Sequence, residues 1–293
     1  MRILVIKHGA LGDIVQAFRA FAAIRRTHQA AEITLLTTAP FRSLLARSPW
    51  FDHFEIDPRL PFWNLSALLK LRRQLRGFDM VYDLQTSSRS TRYFHLAGRP
   101  PWSGIAPGSR FPHDNPARVT THTRERLAEQ LALAGIPDLG EPDLSWLTNT
   151  DIARFRLPEN FALLVPGASA HRPEKRWPLK NYQALAEQLT LPPVLVGGPD
   201  EQLAEPVRGL NLIGQTSLPE LAAIASRASL AIGNDTGPMH LAAALNVPSL
   251  VLFSGASDPA LTAPRYPGGG RPIILRAPSL ADLPVALVLS SLP

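Results

Sequence analysis

The sequence predicts an α/β fold made of two doubly wound parallel sheets, one in each half of its 293 residues. Short apolar runs alternate with segments of helical periodicity from the first residue, and the same alternation starts again near residue 161. Residues 135–158, between the two halves, are rich in Pro, Asp, Asn and Gly and are typical of a connection. We therefore expect a first domain over residues 1–155 and a second over residues 156–293, with the boundary near Phe155.

The first half predicts strands and helices in the alternation of a parallel sheet. In chain order they are a strand at Ile3–Ile6, a helix from about Asp13 to Arg26, a strand at Ile33–Leu36, a helix near Phe41–Arg47, a basic amphipathic helix at Asn64–Leu75, a strand at Met80–Tyr82 and a helix at Arg124–Ala134. Gly135 and Pro137 end the last helix.

The second half repeats this pattern. Strands are predicted at Phe161–Val165, Val194–Val196, Leu212–Ile213, Leu230–Ile232 and Leu250–Phe253, and helices at Leu179–Leu189, Asp200–Arg208, Leu218–Arg227 and Pro238–Leu245. Because open α/β sheets bind ligands at the carboxyl ends of their strands, we expect those ends to face a ligand-binding cleft.

Composition excludes several classes of protein. With 45% hydrophobic and 18% charged residues the chain is globular rather than disordered, and the lack of cysteine excludes disulfides, a thiolate nucleophile and cysteine-bound metals. The apolar run at the start of the sequence is too short for a signal peptide, and no later apolar run approaches the roughly 18 residues of a membrane span. We therefore expect a cytoplasmic protein.

The positive charge is concentrated in the first half. Of the net +6, residues 1–150 carry 19 Lys and Arg against 13 Asp and Glu, whereas residues 151–293 carry 11 against 11. Such an excess attracts nucleic acid, anionic lipid head groups or an acidic small substrate. Since no RNP-like, helix-turn-helix or zinc-finger pattern is present, we expect no nucleic-acid partner.

The most informative segment is residues 230–245, where a buried strand turns at Gly233-Asn234-Asp235 into an apolar helix. Pro238 suits a first helical position, and Asp235 or Thr236 is placed to cap the helix. The free N–H groups and the positive end of the helix dipole make this turn a candidate phosphate site. The alternative is an ordinary capped turn between a strand and a helix.

A second loop, His8-Gly9-Ala10-Leu11-Gly12-Asp13, follows the first predicted strand and opens a helix. Gly9 and Gly12 allow close backbone approach, but the spacing is not that of a dinucleotide-binding G-x-G-x-x-G, and no acidic residue closes the second strand, so NAD binding is disfavoured. Asp13 is either a helix cap or a general base over the cleft.

Two more strand ends carry polar chemistry. Ser169 follows the strand that opens the second half, and Lys175 comes shortly after it, a pairing that suits a diphosphate. Glu201 follows Val196-Gly197-Gly198 and can accept hydrogen bonds from ribose hydroxyls. No H-E-x-x-H, Asp-x-Asp or G-x-S-x-G pattern is present, so we expect neither a metal ion nor a cofactor, and no hydrolase elbow.

Together these segments resemble glycosyltransferase family 9, the bacterial ADP-heptose:lipopolysaccharide heptosyltransferases. Residues 7–16 look like the family's amino-terminal motif, residues 234–241 like its most specific motif, and residues 175–178 like its Lys-x-Trp element. The resemblance implies a GT-B fold, in which the first Rossmann-like domain binds the acceptor and the second binds the nucleotide sugar.

Carried over by position, the resemblance implies a role for each matching residue. Asp13 is similar to the catalytic base, Ser169 and Lys175 to diphosphate contacts, Glu201 and Thr216 to nucleoside contacts, and Asp235, Thr236, Gly237 and His240 to the donor loop, while Gly9 and Gly12 belong to the backbone loop beside the base. The implied activity is metal-independent, inverting transfer of a heptose from ADP-heptose to the anionic lipopolysaccharide inner core.

Such an acceptor would bring the enzyme into peripheral contact with the cytoplasmic face of the inner membrane.

Three alternatives to this function remain open from the sequence. The first is a GT-B enzyme that uses another nucleotide sugar, such as a UDP-sugar transferase or epimerase, and nucleobase preference distinguishes it. The second is a non-catalytic sugar-nucleotide or glycan-binding protein, and the third is a scaffold at a membrane surface.

Overall fold

The computed structural model describes residues 1–169 and 171–293 and divides into two compact units, Met1–Asp143 and Leu144–Pro293, called unit 1 and unit 2 below. The division lies before the expected boundary near Phe155 because the intervening segment packs on unit 2. A short turn at Ser145–Leu147 contacts a helix of that unit, and Arg154 Nε donates to Glu220 Oε1 at 2.9 Å.

Unit 1 contains a six-stranded sheet in which all neighbouring strands are parallel, in the order β3-β2-β1-β4-β5-β6. The strands are β1 (Arg2–Ile6), β2 (Glu32–Thr37), β3 (His53–Ile56), β4 (Met80–Asp83), β5 (Trp102–Gly104) and β6 (Phe111–Pro112). The helices are α1 (Leu11–Gln16), α2 (Phe18–Thr27), α3 (Ala39–Leu45), α4 (Leu65–Gln74), α5 (Ser88–Ala97) and α6 (Thr123–Leu133).

Unit 2 repeats this topology with a parallel sheet in the order β12-β11-β10-β7-β8-β9. Its strands are β7 (Ala162–Val165), β8 (Pro193–Leu195), β9 (Leu210–Asn211), β10 (Leu230–Asn234), β11 (Ser249–Phe253) and β12 (Ile273–Arg276). Its helices are α7 (Leu179–Gln188), α8 (Leu218–Arg227), α9 (Gly237–Ala244), α10 (Pro259–Thr262) and α11 (Val285–Ser290).

Each sheet has a point where the strand order reverses, and this point positions the candidate site. The central strands are continuous apolar runs that are buried on both faces, as parallel sheets require. In unit 1 the order reverses between β1 and β4, and in unit 2 between β7 and β10. Loops leave neighbouring strands in opposite directions there, which opens a crevice at the carboxyl edge.

Some predicted elements differ from the structure. The helix expected over residues 13–26 divides at Ala17 into α1 and α2. The helix expected at Asp200–Arg208 is wrong: a single 3-10 turn forms at Pro199–Glu201, Gln202 then becomes extended, and the following strand is β9 rather than Leu212–Ile213. Within the described residues, no helix has the length and apolar character needed to cross a bilayer.

Candidate functional site

The loop after β1 places Asp13 at the reversal point of unit 1. Asp13 is the third residue of α1, and its Oδ2 accepts a hydrogen bond from the backbone N–H of Ala10 at 3.1 Å, so the carboxylate holds the first turn in place. Gly9 has a φ of +114°, and a Cβ there would overlap the ring of Phe41. Only glycine therefore fits this close approach. Gly12 is buried within α1.

A polar pocket of about 170 Å³ opens beside Asp13, and three cations line it. Lys7 reaches it from the end of β1, Arg118 from a 3-10 turn and Arg126 from α6. The remaining lining residues are Leu84, Gln85, Thr86, Thr123, Leu127 and Gln130. Cationic side chains around one cavity favour a bound anion.

The cations in this pocket are incompletely neutralised. Burial lowers the pKa of Lys7, whose Nζ donates to Leu84 O at 3.0 Å. Burial, followed by the charge of Arg126, lowers the pKa of Arg118. The Nε of Arg118 is buried without a hydrogen-bond partner among residues 1–169 and 171–293. Like charges thus lie together with an unused donor, an arrangement that an anionic ligand would stabilise.

One buried carboxyl group, that of Asp83, influences the cations of this pocket. Asp83, at the end of β4, is completely buried, and this burial raises its pKa to about 6 although the N–H groups of Gln85 and Thr86 donate to Oδ1. Its charge acts on both Lys7 and Arg118. Two cations of the pocket therefore interact with a carboxyl group whose pKa is raised by burial.

A second buried carboxylate, Asp57, holds the loop after β1. Its Oδ2 lies 3.2 Å from His8 Nε2 and accepts a hydrogen bond from Tyr93 OH. Burial alone would raise the pKa of Asp57, but the contact with His8 and the hydrogen bonds from Tyr93 and the backbone N–H of Arg59 lower it to about 2. The sequence does not predict Asp57 or Tyr93, since Asp57 lies 49 positions from His8 and 36 positions from Tyr93 and no local pattern joins them.

In unit 2, Asn234 joins three segments at the reversal point. This side chain is fully buried at the end of β10. Its Nδ2 donates to Pro166 O at 2.8 Å and to Gly167 O at 3.1 Å, while its Oδ1 accepts from the N–H of Trp177 and from Tyr182 OH, both at 3.1 Å. Every hydrogen-bonding position of the amide is used, so Asn234 locks the loop after β7 to the start of α7.

Asp235 organises the charged groups next to Asn234. Its Oδ2 accepts from Lys175 Nζ at 2.6 Å and from Ser257 Oγ at 2.8 Å, and its Oδ1 lies 3.8 Å from His240 Nε2. Burial alone would raise the pKa of Asp235, but His240 and Lys175 lower it to about 2. Asp235 therefore stays ionised and fixes the position of the Lys175 ammonium.

The start of α9 differs from the expected cap. Thr236 occupies the N-cap position, but no side chain caps the helix: the hydroxyl of Thr236 donates instead to Asn234 O at 3.2 Å, and the Asp235 carboxylate binds Lys175. Gly237 and Pro238 form the first turn, half-buried. The positive end of α9 therefore receives no carboxylate or hydroxyl from its own cap residue, as a phosphate site requires.

The other predicted donor residues lie on the same edge of the sheet. Ser169 is exposed after β7, where its carbonyl accepts from the N–H of Arg172 at 2.8 Å. Glu201 follows β8, its Oε2 accepts from Gly198 N at 2.6 Å, and its carboxylate lies where a Cβ of Gly167 would be. Thr216 lies one strand further along, before α8. Within the described residues, no group of three or more His, Asp or Glu side chains is placed to hold a metal ion.

Comparison with known proteins gives consistent matches. The sequence profile of Glycosyltransferase family 9 (heptosyltransferase) matches residues 68–269. The chain is 34% identical to lipooligosaccharide heptosyltransferase 2 of Haemophilus influenzae, over 90% of this chain and 86% of that protein. It is 29% identical to lipopolysaccharide heptosyltransferase 2 of Escherichia coli K12, over 90% and 85%.

Structural comparison agrees with these matches. The structure of the Escherichia coli ADP-heptose lipopolysaccharide heptosyltransferase II superposes with a TM-score of 0.74 at 23% identity, covering 99% of this chain and 97% of that one. The predicted fold, two doubly wound Rossmann-like sheets of the GT-B class, is thereby confirmed. The chain belongs to glycosyltransferase family 9, the heptosyltransferases, and is a glycosyltransferase.

Proposed function

We propose that this glycosyltransferase moves a heptose from ADP-heptose to an anionic lipopolysaccharide inner-core acceptor, in one displacement with inversion and without a metal ion. The names of the relatives above support the donor and the acceptor. We place the reaction in the cytoplasm, at the inner face of the membrane that carries such acceptors, with no part for nucleic acid.

The observation that carries this proposal is the position of Asp13 beside the three-cation pocket of unit 1. A carboxylate that lines an anion pocket is suited to take a proton from a hydroxyl of an acidic sugar bound in that pocket. In the proposed step Asp13 accepts the hydroxyl proton while the oxygen forms a bond to the anomeric carbon. The bond from that carbon to the diphosphate breaks on the opposite face, and ADP leaves with the electron pair.

We assign Lys7, Arg118 and Arg126 to the acidic group of the acceptor. Two guanidinium groups offer paired N–H donors that match a carboxylate or phosphate, and Arg118 has an unused buried donor among the described residues. An anion in the pocket would relieve the repulsion between Arg118 and Arg126. It would also orient the sugar hydroxyl relative to Asp13.

We assign the donor to the carboxyl edge of unit 2. Lys175 and the N–H groups at the start of α9 would stabilise the charge that develops on the departing diphosphate. Asp235, which also lies 3.8 Å from His240 Nε2, keeps the Lys175 ammonium in place. Ser169 adds a hydroxyl from the loop after β7. Glu201 and Thr216 would contact the nucleoside.

The experiment that tests the proposal is calorimetric titration of ADP, UDP and NAD into the wild-type protein and a Lys175→Ala variant, followed by turnover of ADP-heptose. We expect selective ADP binding that weakens at least tenfold in Lys175→Ala, since an ion contact to a phosphate is lost. The matched control is Lys180→Ala, an exposed lysine on α7, which should bind ADP like the wild type.

Other outcomes would redirect the assignment. Preference for UDP would indicate a GT-B enzyme that uses another nucleotide sugar. Binding of ADP without turnover of any acceptor would indicate a non-catalytic nucleotide-sugar-binding protein, and failure to bind any nucleotide would overturn the donor site.

A further inference from the structure

Unit 1 carries an unusual concentration of exposed apolar side chains between β3 and α4. Of the eight large hydrophobic residues that are exposed in the described parts of the chain, four lie within residues 60–69. The exposed fractions are 83% for Trp63, 71% for Leu65, 56% for Leu69 and 43% for Leu60. Scattered single exposures are normal, but a contiguous patch marks an interaction surface.

The charge of the same segment has one sign. Residues 58–78 contain no Asp or Glu, and their five cations are all exposed: Arg59, Lys70, Arg72, Arg73 and Arg76. Along the chain the nearest acids are Asp57 and Asp79, just outside this range, and in the fold Glu55 Oε2 accepts a hydrogen bond from Gln74 Nε2 at 2.7 Å. The patch formed by residues 59–76 is therefore both apolar and strongly basic.

The structure separates the inner and outer faces of α4. Leu71 and the following Leu75 are buried in the core of unit 1. Leu65 and Leu69, four positions apart, share the outer face with Arg72, and Arg76 follows the end of the helix. Leucines thus occupy the start of the exposed stripe, and arginines occupy its end.

The loop before α4 is held in a defined position. The guanidinium of Arg89 lies 4.7 Å from the centre of the Phe62 ring, that of Arg92 lies 5.2 Å from it, and Arg89 also donates to Leu60 O at 2.8 Å. Asn64 caps α4 through a hydrogen bond from the N–H of Ala67 at 3.1 Å. Because its neighbours Phe62 and Asn64 are both fixed, Trp63 points outward as part of an ordered structure.

We infer that residues 59–76 dock unit 1 onto a bilayer surface rich in anionic phospholipid. Tryptophan and leucine are suited to the boundary between head groups and acyl chains, and arginine and lysine contact lipid phosphates while their aliphatic stems lie along apolar surface. Charge complementarity selects this occupant, because five cations without an acid oppose binding to a basic partner and add little to a neutral one. This inference rests on the proposed function: docking would bring unit 1 to the bilayer surface at which a lipid-linked acceptor is presented.

Trp63 provides a specific probe for this docking. The other four tryptophans of the chain, Trp50, Trp102, Trp146 and Trp177, are buried. Vesicles of phosphatidylethanolamine and phosphatidylglycerol with brominated acyl chains should therefore quench and blue-shift the Trp63 emission. Zwitterionic phosphatidylcholine vesicles should do so at least tenfold less effectively, and binding to the anionic vesicles should weaken as salt is raised.

Variants assign the binding to this patch. Leu65→Ser with Leu69→Ser, and separately Arg72→Gln with Arg73→Gln, should each weaken vesicle binding at least tenfold in sedimentation. Trp63→Phe should lose the quenching signal and still sediment with vesicles. The matched control combines Leu287→Ser and Arg271→Gln, an exposed leucine and an exposed arginine of unit 2, and should bind like the wild type.

Absence of quenching by anionic vesicles, equal binding to zwitterionic vesicles, or binding unchanged by the patch variants would each overturn the inference. Its failure is separable from failure of the proposed function. The patch variants should keep wild-type ADP affinity and wild-type turnover of a water-soluble, deacylated acceptor, so a defect confined to vesicles concerns docking alone.

Discussion

The two units place their candidate sites at the same topological position but balance charge there in opposite ways. In unit 1, at the reversal between β1 and β4, a cavity is lined by the three cations Lys7, Arg118 and Arg126 and by the carboxylate of Asp13, so positive charge is in excess. In unit 2, at the reversal between β7 and β10, Asp235 already holds Lys175, and Asn234 has all of its hydrogen-bonding positions filled. The charge of the first site favours a bound anion, whereas the second site is held in place by its own contacts.

The buried acids of the two sites show the same contrast. Asp83 in unit 1 has its pKa raised to about 6 by burial, and Asp235 in unit 2 has its pKa lowered to about 2 by its cationic neighbours. A shared fold therefore supports opposite electrostatics, which are set by the side chains at the strand ends. Four predictions test this comparison.

The largest effect is expected for Asp13→Asn in unit 1. The amide oxygen can still accept from Ala10 N, so the loop should stay folded, but the base is lost. We expect turnover of ADP-heptose to fall roughly 10²–10⁴-fold while ADP affinity stays within about twofold of the wild type. Rate assays and calorimetry check this, with Asp114→Asn, an exposed acid of unit 1, as the control. A parallel loss of ADP affinity would contradict the separation of roles between the units.

Asn234→Leu should be the most destabilising change in unit 2. It removes the Asn234 partner of three buried backbone groups, Pro166 O, Gly167 O and Trp177 N. Tyr182 OH loses one of its two acceptors and keeps Val165 O. We expect the free energy of unfolding of unit 2 to fall by about 3–5 kcal/mol. A urea series read by pulsed hydrogen exchange follows peptides of each unit separately. Asn160→Leu, at an exposed position, is the control. Equal stability of the two variants would show that the hydrogen bonds of the Asn234 amide do not stabilise unit 2.

The pH dependence of stability should separate Asp83 from Asp235. The folded pKa of Asp83, about 6, lies above its ordinary value of 3.8, so its stabilising contribution is complete below about pH 4 and is lost as pH rises through 6. Between pH 5 and 7.5 this costs unit 1 about 1.4 kcal/mol. Asp83→Asn should remove that loss in the same urea series.

Asp235 is the control for this window, because its pKa is lowered rather than raised. Its contribution is present above about pH 4 and is lost only as pH falls through 2, so it does not change between pH 5 and 7.5. Asp235→Asn should therefore lower the stability of unit 2 at both pH values. A change in unit 1 that persists in Asp83→Asn would assign the pH dependence to another group.

The smallest effect is expected for Glu201→Gln. The amide oxygen can replace the carboxylate as acceptor for Gly198 N, so the change removes charge with little effect on the loop. We expect ADP affinity to fall by about two- to fivefold, because an ionised acceptor for the ribose hydroxyls becomes a neutral one. Glu187→Gln, exposed on α7, is the calorimetric control. Unchanged ADP affinity would leave Glu201 only the role of joining the loops after β7 and β8.

Much of the fold could be predicted because buried parallel strands are continuous apolar runs. Helix α8 matches its predicted bounds, since a Ser-x-x-Glu capping box marks its start and its apolar positions recur at helical spacing. Helix α5 was not predicted: its apolar residues Tyr93, Phe94 and Ala97 follow a polar run, Ser88 to Arg92, that resembles a loop. Packing against the core of unit 1, rather than local periodicity, makes this segment helical.

The candidate site could be predicted only where its residues follow strands directly. Asp13, Lys175 and Asp235 were identified from local motifs, and their roles stay predictions. At Asn234 the sequence predicts only a turn, and it cannot show the hydrogen-bond partners of this side chain because they lie 52–68 positions away along the chain. Arg118 and Arg126 were not identified either, since a lone arginine in a basic half of the chain is most often solvated. A polar residue in an otherwise apolar strand end was the one signal available for Asn234.

The ion pair between Lys175 and Asp235 gives unit 2 a threshold for the anions that it can accept. With Nζ and Oδ2 2.6 Å apart, the ammonium of Lys175 is already paired with a carboxylate of the protein itself. Chloride or inorganic phosphate offers Lys175 little more than the carboxylate does, whereas a diphosphate can engage Lys175 and the start of α9 at the same time. Abundant small anions of the cell should therefore bind weakly at this edge of the sheet. Affinity should depend on whether a ligand can contact Lys175 and the start of α9 together, and not on its negative charge alone.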